Sequence, residues 1–161
     1  RNLINQQTDA DGLMVFKNVG KADGRGIQFE VEKKWSCGLT GRLSYSFQEA
    51  RDREEGVYFG NFPKHMVKFN TFVPVIKKKL GAGVEVRYAS PRKNLNATYD
   101  GGYTIVNATL LSERIFDRID VSFSVYNILD KRYSDPATRE NLQSNIEQDG
   151  RTFRLKATYR F

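Results

Sequence analysis

One cysteine, one histidine and one tryptophan in 161 residues leave several kinds of chemistry with nothing to work on. Cys37 alone cannot close a disulfide within the chain, and Cys37 with His65 falls short of the four ligands of a structural zinc site. Cys37 lies in Trp35-Ser36-Cys37-Gly38, which reads as a turn, and His65 reads as an ordinary polar histidine. Neither has the surroundings of a nucleophile. No carboxylate pair, triad or phosphate loop stands elsewhere with persuasive spacing, so no enzyme, metal or cofactor is expected. No run approaches the roughly 20 apolar residues of a spanning helix, which excludes a helical membrane protein and leaves a barrel as the only way to cross a bilayer. Helical periodicity is also missing, although the loop from Ser134 to Asn145 has room for one helical turn. The chain starts at Arg1 with neither an initiator Met nor a charged-then-apolar leader, so the expectation is a processed product or a piece of something longer.

Acidic residues are the scarcer charge, 19 against 26 Lys and Arg, for a net charge of +7. Such a surplus can be the footprint of nucleic-acid binding. Here the cations are scattered through every segment at alternate positions, and the one dense run, Lys77-Lys78-Lys79, falls at a turn. They read as solvated faces and turns, and no nucleic-acid partner is expected. Hydrophobic residues make up only 39%, with 12% aromatic and 28% charged, a balance that suits half-apolar strands better than a single soluble core.

What is present is alternation. In Arg151 to Phe161 the residues Phe153, Leu155, Ala157, Tyr159 and Phe161 share one face and Thr152, Arg154, Lys156, Thr158 and Arg160 the other, because successive strand side chains point to opposite sides. The same period runs through Ile119 to Tyr126, Val106 to Leu110, Leu80 to Ala89, Val67 to Val75, Leu39 to Gln48 and Ile27 to Glu32. Phe72 and Pro74 are blemishes on the polar face of their strand, and the proline requires a strand end or a bulge. These are seven strands, with Leu3-Ile4 as the tail of an eighth.

Connections alternate between short (36–38, 77–79, 116–118) and long and polar (51–62, 91–102, 128–150). An outer-membrane barrel shows this pattern, with its short turns on the periplasmic side. About 10 residues at roughly 3.3 Å each, tilted by about 40°, span its ~25 Å apolar band. On this scheme the last strand descends, Phe161 lies at the periplasmic rim, and Tyr45, Tyr88, Tyr103 and Tyr159 are candidates for the aromatic girdles. The fold class expected is all-β, an antiparallel meander of seven or eight transmembrane strands.

Tyr126-Asn127-Ile128-Leu129-Asp130-Lys131-Arg132-Tyr133 resembles the strand-to-loop signature of TonB-dependent outer-membrane receptors near the end of their barrel. Gln148-Asp149-Gly150-Arg151 and the strand after it resemble that family's closing signature. Phe16 to Ala22 with Gly24-Arg25-Gly26-Ile27-Gln28-Phe29-Glu30 resembles a recurring Asn-x-Gly…Gly-x-Glu pattern, with Gln28 where Glu is usual. Asn61-Phe62-Pro63-Lys64-His65 is similar to an Asn-x-Pro-x-His strand opening. The signature residues are thus Asn127, Leu129, Asp130, Tyr133, Gly150 and Arg151. Physically, Gly24 and Gly26 permit a bend or a close backbone approach, and Asn127 can hold a turn through its side chain.

The resemblance implies a 22-stranded barrel of which residues 1–161 are the C-terminal portion, with the N-terminal barrel, the plug domain and the TonB-contacting segment absent. It implies a wall and outer loops in the outer membrane of a Gram-negative-type bacterium, for a receptor importing a ferric siderophore, cobalamin or an oligosaccharide with TonB-coupled energy. Expected partners are outer-membrane lipid, the missing barrel and plug, the TonB complex through the missing part, and the insertion machinery through the C-terminal strand, with Tyr159 and Phe161 as its signal. Arg42, Lys68, Arg87, Arg154, Lys156 and Arg160 would line the lumen, where an acidic plug surface would suit them; being simply the solvated face of each strand explains them equally well. The long loops read as solvated surface or as ligand or lipopolysaccharide contact. Two other architectures compete: a complete eight-stranded barrel with a structural or adhesive role, which needs Leu3 to Gln7 to pair with the last strand, and a soluble lipocalin-like barrel, which needs Phe153, Leu155 and Val121 to line a closed cavity.

Overall fold

The computed structural model describes residues 2–53, 56, 58–60, 62–77, 79–93, 99–115, 118–137 and 142–161, without the side chains of 2–7, 17–20 and 113–115. Among the described residues twelve strands follow in order: β1 (Asn2–Thr8), β2 (Met14–Lys34), β3 (Thr40–Asp52), β4 (His65–Ile76), β5 (Leu80–Ala89), β6 (Arg92–Lys93), β7 (Tyr99–Asp100), β8 (Tyr103–Ile115), β9 (Ile119–Tyr126), β10 (Ser134–Pro136), β11 (Asn145–Glu147) and β12 (Thr152–Tyr159). Eight of them form one sheet in the order β1-β2-β3-β4-β5-β8-β9-β12, every pair antiparallel. The other four make two small ladders, β6 with β7 and β10 with β11, inside long loops.

The meander expected from alternation is there, and the eighth strand is real. β1 pairs with β2 and not with β12, so the sheet stays open and the complete eight-stranded barrel is ruled out for this chain. The segment from Ser134 to Asn145 is correspondingly no helix in its described residues: Ser134–Pro136 pair with Asn145–Glu147. β2 is also far longer than its alternation suggested. Its first part, Met14 to Lys21, pairs with β1 beyond the end of β3, where Ala22 meets Asp52, and so projects by about 26 Å at 3.3 Å per residue. Main-chain pairing holds this hairpin together, with Met14 and Phe16 exposed, and Gly12 at φ 77 turns its tip.

Register carries one apolar face from β2 to β12. Leu155 lies opposite Phe123, Phe123 opposite Leu110, Leu110 opposite Ala82 and Ala82 opposite Val73; further on, Phe69 lies opposite Leu43 and Leu43 opposite Val31. A water-soluble sheet would cover this face with a second layer. Instead Phe153 is 66% exposed and Leu155 73%, and Phe29, Ile27, Leu43, Phe69, Leu110 and Phe123 are all exposed. What burial there is falls on the polar-facing rungs, at Ser124, Tyr103 and Ile105. Phe153 and Leu155 line no enclosed space, which excludes the lipocalin-like arrangement.

The apolar face has borders. On β2 it runs through Ile27, Phe29 and Val31, with Arg25 before and Lys33 after, about 26 Å from charge to charge along the strand and about 20 Å along the axis of a barrel whose strands tilt by about 40°. Aromatic residues mark both limits. At the short-turn end Trp35 packs on Gly41, where a Cβ would come within 3.5 Å of the indole, and Lys33 Nζ lies 5.1 Å from the ring centroid. At the long-loop end Tyr45 and His65 share a 2.9 Å hydrogen bond on the apolar face.

Both blemishes in β4 have a structural cause. Pro74 falls at a register shift before Ile76, near the strand's end, the kind of place where a strand accommodates proline. The Phe72 ring lies across Gly81 of β5, occupying the space a Cβ would need. Gly26 likewise permits close approach, since a Cβ there would lie 2.7 Å from the Phe47 carbonyl oxygen, whereas Gly24 has open room.

Candidate functional site

The six expected basic residues all share the polar face. Register places Arg42 opposite Glu32, Lys68 between Ser44 and Arg87, Arg87 opposite Ile105, Arg154 opposite Ser124 and Lys156 opposite Ser122. Their surroundings separate them. Arg42 forks onto Glu32, its Nε 3.0 Å from Oε2, and lies 3.8 Å from Glu30. Arg160 makes the same kind of fork onto Asp120, with Nε at 3.0 Å. Arg87 lies 5.6 Å from the Tyr103 ring centroid. Lys68 and Arg87 sit directly opposite each other, an arrangement of like charges that costs stability unless an anion joins them. Arg154 and Lys156 face hydroxyls and remain exposed.

Tyr103 is the one girdle candidate that fails. It lies opposite Ala89, on the polar face, and is buried to 7% exposure. There Tyr133 packs on it at 4.3 Å between centroids, while Arg87 and Arg92 approach the ring at 5.6 and 5.5 Å. Counting back two residues at a time from Leu110, Ala108 and Val106 puts Tyr103 on the opposite parity, so alternation itself places it on the polar face.

The strand-to-loop signature folds into a single hydrogen-bonded junction. β9 ends at Tyr126, and Asn127 follows with φ 50 and only 3% exposure. A left-handed backbone is tolerated best by Gly and Asn, and Asn adds an amide that can replace missing ladder partners. The Asn127 N–H donates to Asn107 Oδ1 at 2.9 Å, and its Nδ2 donates to the carbonyls of Lys131 at 2.9 Å and Asp149 at 3.3 Å. Its Oδ1 accepts from the Lys131 N–H at 2.9 Å. Asp130, at φ 51, accepts from the Arg151 N–H at 2.8 Å through Oδ1, and Arg151 Nε donates to the Ile128 carbonyl at 3.0 Å. Gly150 leaves room for the Asp130 carboxylate: a Cβ there would lie 2.8 Å from Oδ1 and displace the oxygen that accepts from Arg151. The Gln148 N–H donates to the Tyr133 carbonyl at 3.0 Å, whereas Leu129 is left exposed. Asn127, Asp130, Tyr133, Gly150 and Arg151 thus tie the two ends of the longest loop together at the sheet's rim.

That rim carries more order than a solvated loop would. Arg92, its side chain about nine-tenths buried, pairs with Asp135 and donates to the Ser134 carbonyl at 3.1 Å. Asn145 Nδ2 donates to Asp100 Oδ1 at 2.8 Å. These contacts clip the β6–β7 ladder to the β10–β11 ladder, so two long loops form one structure. Neither Arg92 nor Asp135 announces this in the sequence, because the pair is separated by 43 residues. The strand opening at Pro63-Lys64-His65 is also ordered: Pro63 is buried, Gln48 N–H donates to the Lys64 carbonyl at 2.9 Å, and His65 and Ser90 exchange hydrogen bonds. Asn61 of that motif lies outside the described residues.

An open antiparallel sheet with one exposed apolar face, one polar face and ordered loops along one rim is a section of wall from a large β-barrel. The family described as TonB dependent receptor-like, beta-barrel matches residues 1–128, and the chain belongs to that family. Among curated proteins no relative is matched by sequence. Solved structures share the fold. The ferric-catecholate import receptor Fiu of E. coli is 20% identical with a TM-score of 0.75, over 97% of this chain and 23% of its own. The ferripyoverdine receptor of the outer membrane of Pseudomonas aeruginosa is 17% identical with a TM-score of 0.75, over 98% and 23%. The FrpB iron transporter of Neisseria meningitidis is 16% identical with a TM-score of 0.76, over 98% and 27%. The chain spans about a quarter of the length of these structures.

Proposed function

We propose that this chain is wall and outer loops of an outer-membrane receptor that imports a scarce ligand of the ferric siderophore, cobalamin or oligosaccharide class with TonB-coupled energy. It is a transport component and not an enzyme. The observation that supports this best is the exposure of the sheet's apolar face together with its membership of the receptor family. Apolar area of this extent costs about 25 cal/mol per Å² in water and nothing of the kind against lipid. The polar face then fronts the lumen, where Lys68, Arg87, Arg154 and Lys156 are available to a plug domain or an anionic ligand, while Arg42 and Arg160 are already held by carboxylates. The similar structures named as receptors and transporters carry iron or copper by their names, and at 14–20% identity they share the fold without selecting among the three ligand classes.

On this reading Tyr159 and Phe161, in edge-to-face contact at 5.3 Å, end the strand that the outer-membrane insertion machinery takes up. The test is a deletion of the full gene in its host, followed by growth on ferric siderophores, cobalamin or oligosaccharide as the limiting nutrient. Loss of growth on one of them, reproduced by inactivating TonB, supports the proposal. Normal growth on all, with the protein absent from the outer-membrane fraction, refutes it.

A further inference from the structure

Resting on that outer-membrane reading, we infer that the long-loop border of the apolar face, on β2 and β3, is a docking site for the phosphorylated headgroup of an outer-leaflet lipid. The last apolar rung there is Ile27, Phe47 and His65 across β2, β3 and β4. Two residues further along, about 7 Å, the same face turns to charge: Arg25 lies opposite Glu49, and Asp23 opposite Arg51.

Glu49 organises this border. Its side chain is only 10% exposed, and its two oxygens take Arg25 at 2.7 Å and Lys64 at 2.6 Å, so that one carboxylate holds two cations side by side. The Arg25 side chain remains 78% exposed, leaving the rest of its guanidinium fork open. Lys64 also lies 4.8 Å from the Tyr58 ring centroid, and the pairing with Glu49 raises its pKa, so its charge is secure at neutral pH. Tyr58 is brought in by an antiparallel bridge to Arg51. Asp23 holds Arg53 in the same way that Glu49 holds its pair. Asp23, Gly24, Arg25, Glu49, Arg51 and Tyr58 line a cleft of about 240 Å³. Gly24 leaves it unobstructed, with nothing nearer than 3.9 Å to a Cβ position.

Among the described residues of this border, the four cations Arg25, Arg51, Arg53 and Lys64 stand with three carboxylates, Asp23, Glu49 and Asp52, of which Asp52 alternates to the other face, so cations are in excess on the apolar side. A phosphate monoester carries close to two negative charges and three acceptor oxygens, and an Arg fork matches it bidentately. The site's place matters as much as its charge. It sits on the side that continues the apolar face, just past its edge, where a lipid whose chains lie on Ile27, Phe29 and Phe47 would hold its headgroup. The short-turn border lacks this organisation: Lys33 lies on Trp35, and Arg118 Nη1 donates to the Tyr159 hydroxyl at 3.4 Å.

The experiment uses the full-length receptor folded into phosphatidylcholine vesicles doped with a diphosphorylated glycolipid or with the same glycolipid dephosphorylated. Retention of the glycolipid on the extracted protein is read by native mass spectrometry. We expect wild-type protein to retain the phosphorylated form, and Arg25→Gln, Arg51→Gln and Lys64→Gln to lose affinity by about fivefold each and roughly a hundredfold together. Lys33→Gln, at the opposite border, leaves retention unchanged. Equal retention of both lipids, an unaffected triple variant that still folds, or full displacement by inorganic phosphate would each overturn the inference while leaving the receptor reading standing. Failure of wild-type protein to fold into the vesicles would instead sink the reading on which it rests, and the inference with it.

Discussion

The two faces of this sheet share every strand and differ in what covers them. On one face Phe153, Leu155, Phe29 and Phe69 stand exposed with nothing packed on them; on the other Ser124 and Tyr103 are nearly hidden. Burial and polarity have exchanged places relative to a soluble protein, where apolar residues are the ones most often inside. The lesson is about the solvent of each face: the apolar side is built for a medium that is not water, so stability there comes from matching lipid, and the polar side must satisfy its own hydrogen bonds. The junction at Asn127 and the Thr109–Ser124 hydroxyl pair at 2.8 Å are examples of the second requirement.

Moving a charge across this boundary has the largest expected effect. Leu155→Arg, at mid-strand on the apolar face, should destabilise the receptor folded in vesicles by about 2–4 kcal/mol, measured by denaturant unfolding. Exchanging its neighbour Lys156 for Gln, on the other face, should change stability far less. Equal effects would mean that the two faces meet the same solvent.

Next comes the polar face's own bonding. Asn127→Ala removes the amide that serves Lys131 and Asp149 and leaves a non-Gly residue at positive φ, for a cost of about 2–3 kcal/mol in the same assay. Asn127→Gly relieves the backbone and recovers only part of that. A full recovery would show that conformation, and not the side-chain bonds, holds the loop base.

Packing on the polar face is tested at Gly81→Val, which forces the Phe72 ring out of its place and should cost about 1–3 kcal/mol. Combined with Phe72→Ala the penalty should shrink, a coupling that a double-mutant cycle measures. Additive effects would mean the ring and the glycine are independent.

The smallest effect distinguishes the cations. Arg42→Gln takes its cation from Glu30 and leaves Glu32 with Lys34, and should lower stability slightly, less so at high salt. Arg154→Gln, facing Ser124, should leave stability unchanged. If Arg154 proves the more costly of the two, a carboxylate outside this chain's sheet is holding it.

Period-2 alternation was enough to assign Phe153, Leu155, Val121 and Leu43 to one face and Arg154, Lys68 and Arg42 to the other, because side-chain direction in a strand depends only on local backbone geometry. The order of short and long connections was equally local, and so was the turn held by Asn127; Gly150 was marked only by the resemblance to the family's closing signature. What lies opposite what depends on register between segments tens of residues apart, and only the folded sheet decides it. That is why the pairing of Arg42 with Glu32, the burial of Tyr103 beneath Tyr133, the clip from Arg92 to Asp135 and the gathering of Arg25 and Lys64 about Glu49 were not legible in the chain. The Met14 to Lys21 part of β2 was missed for a related reason: its strand character comes from main-chain bonds to β1, which leave no mark on side-chain polarity. Alternation names the face, but long-range hydrogen bonding chooses the neighbours, and here the neighbours determine which charges are spent and which are free.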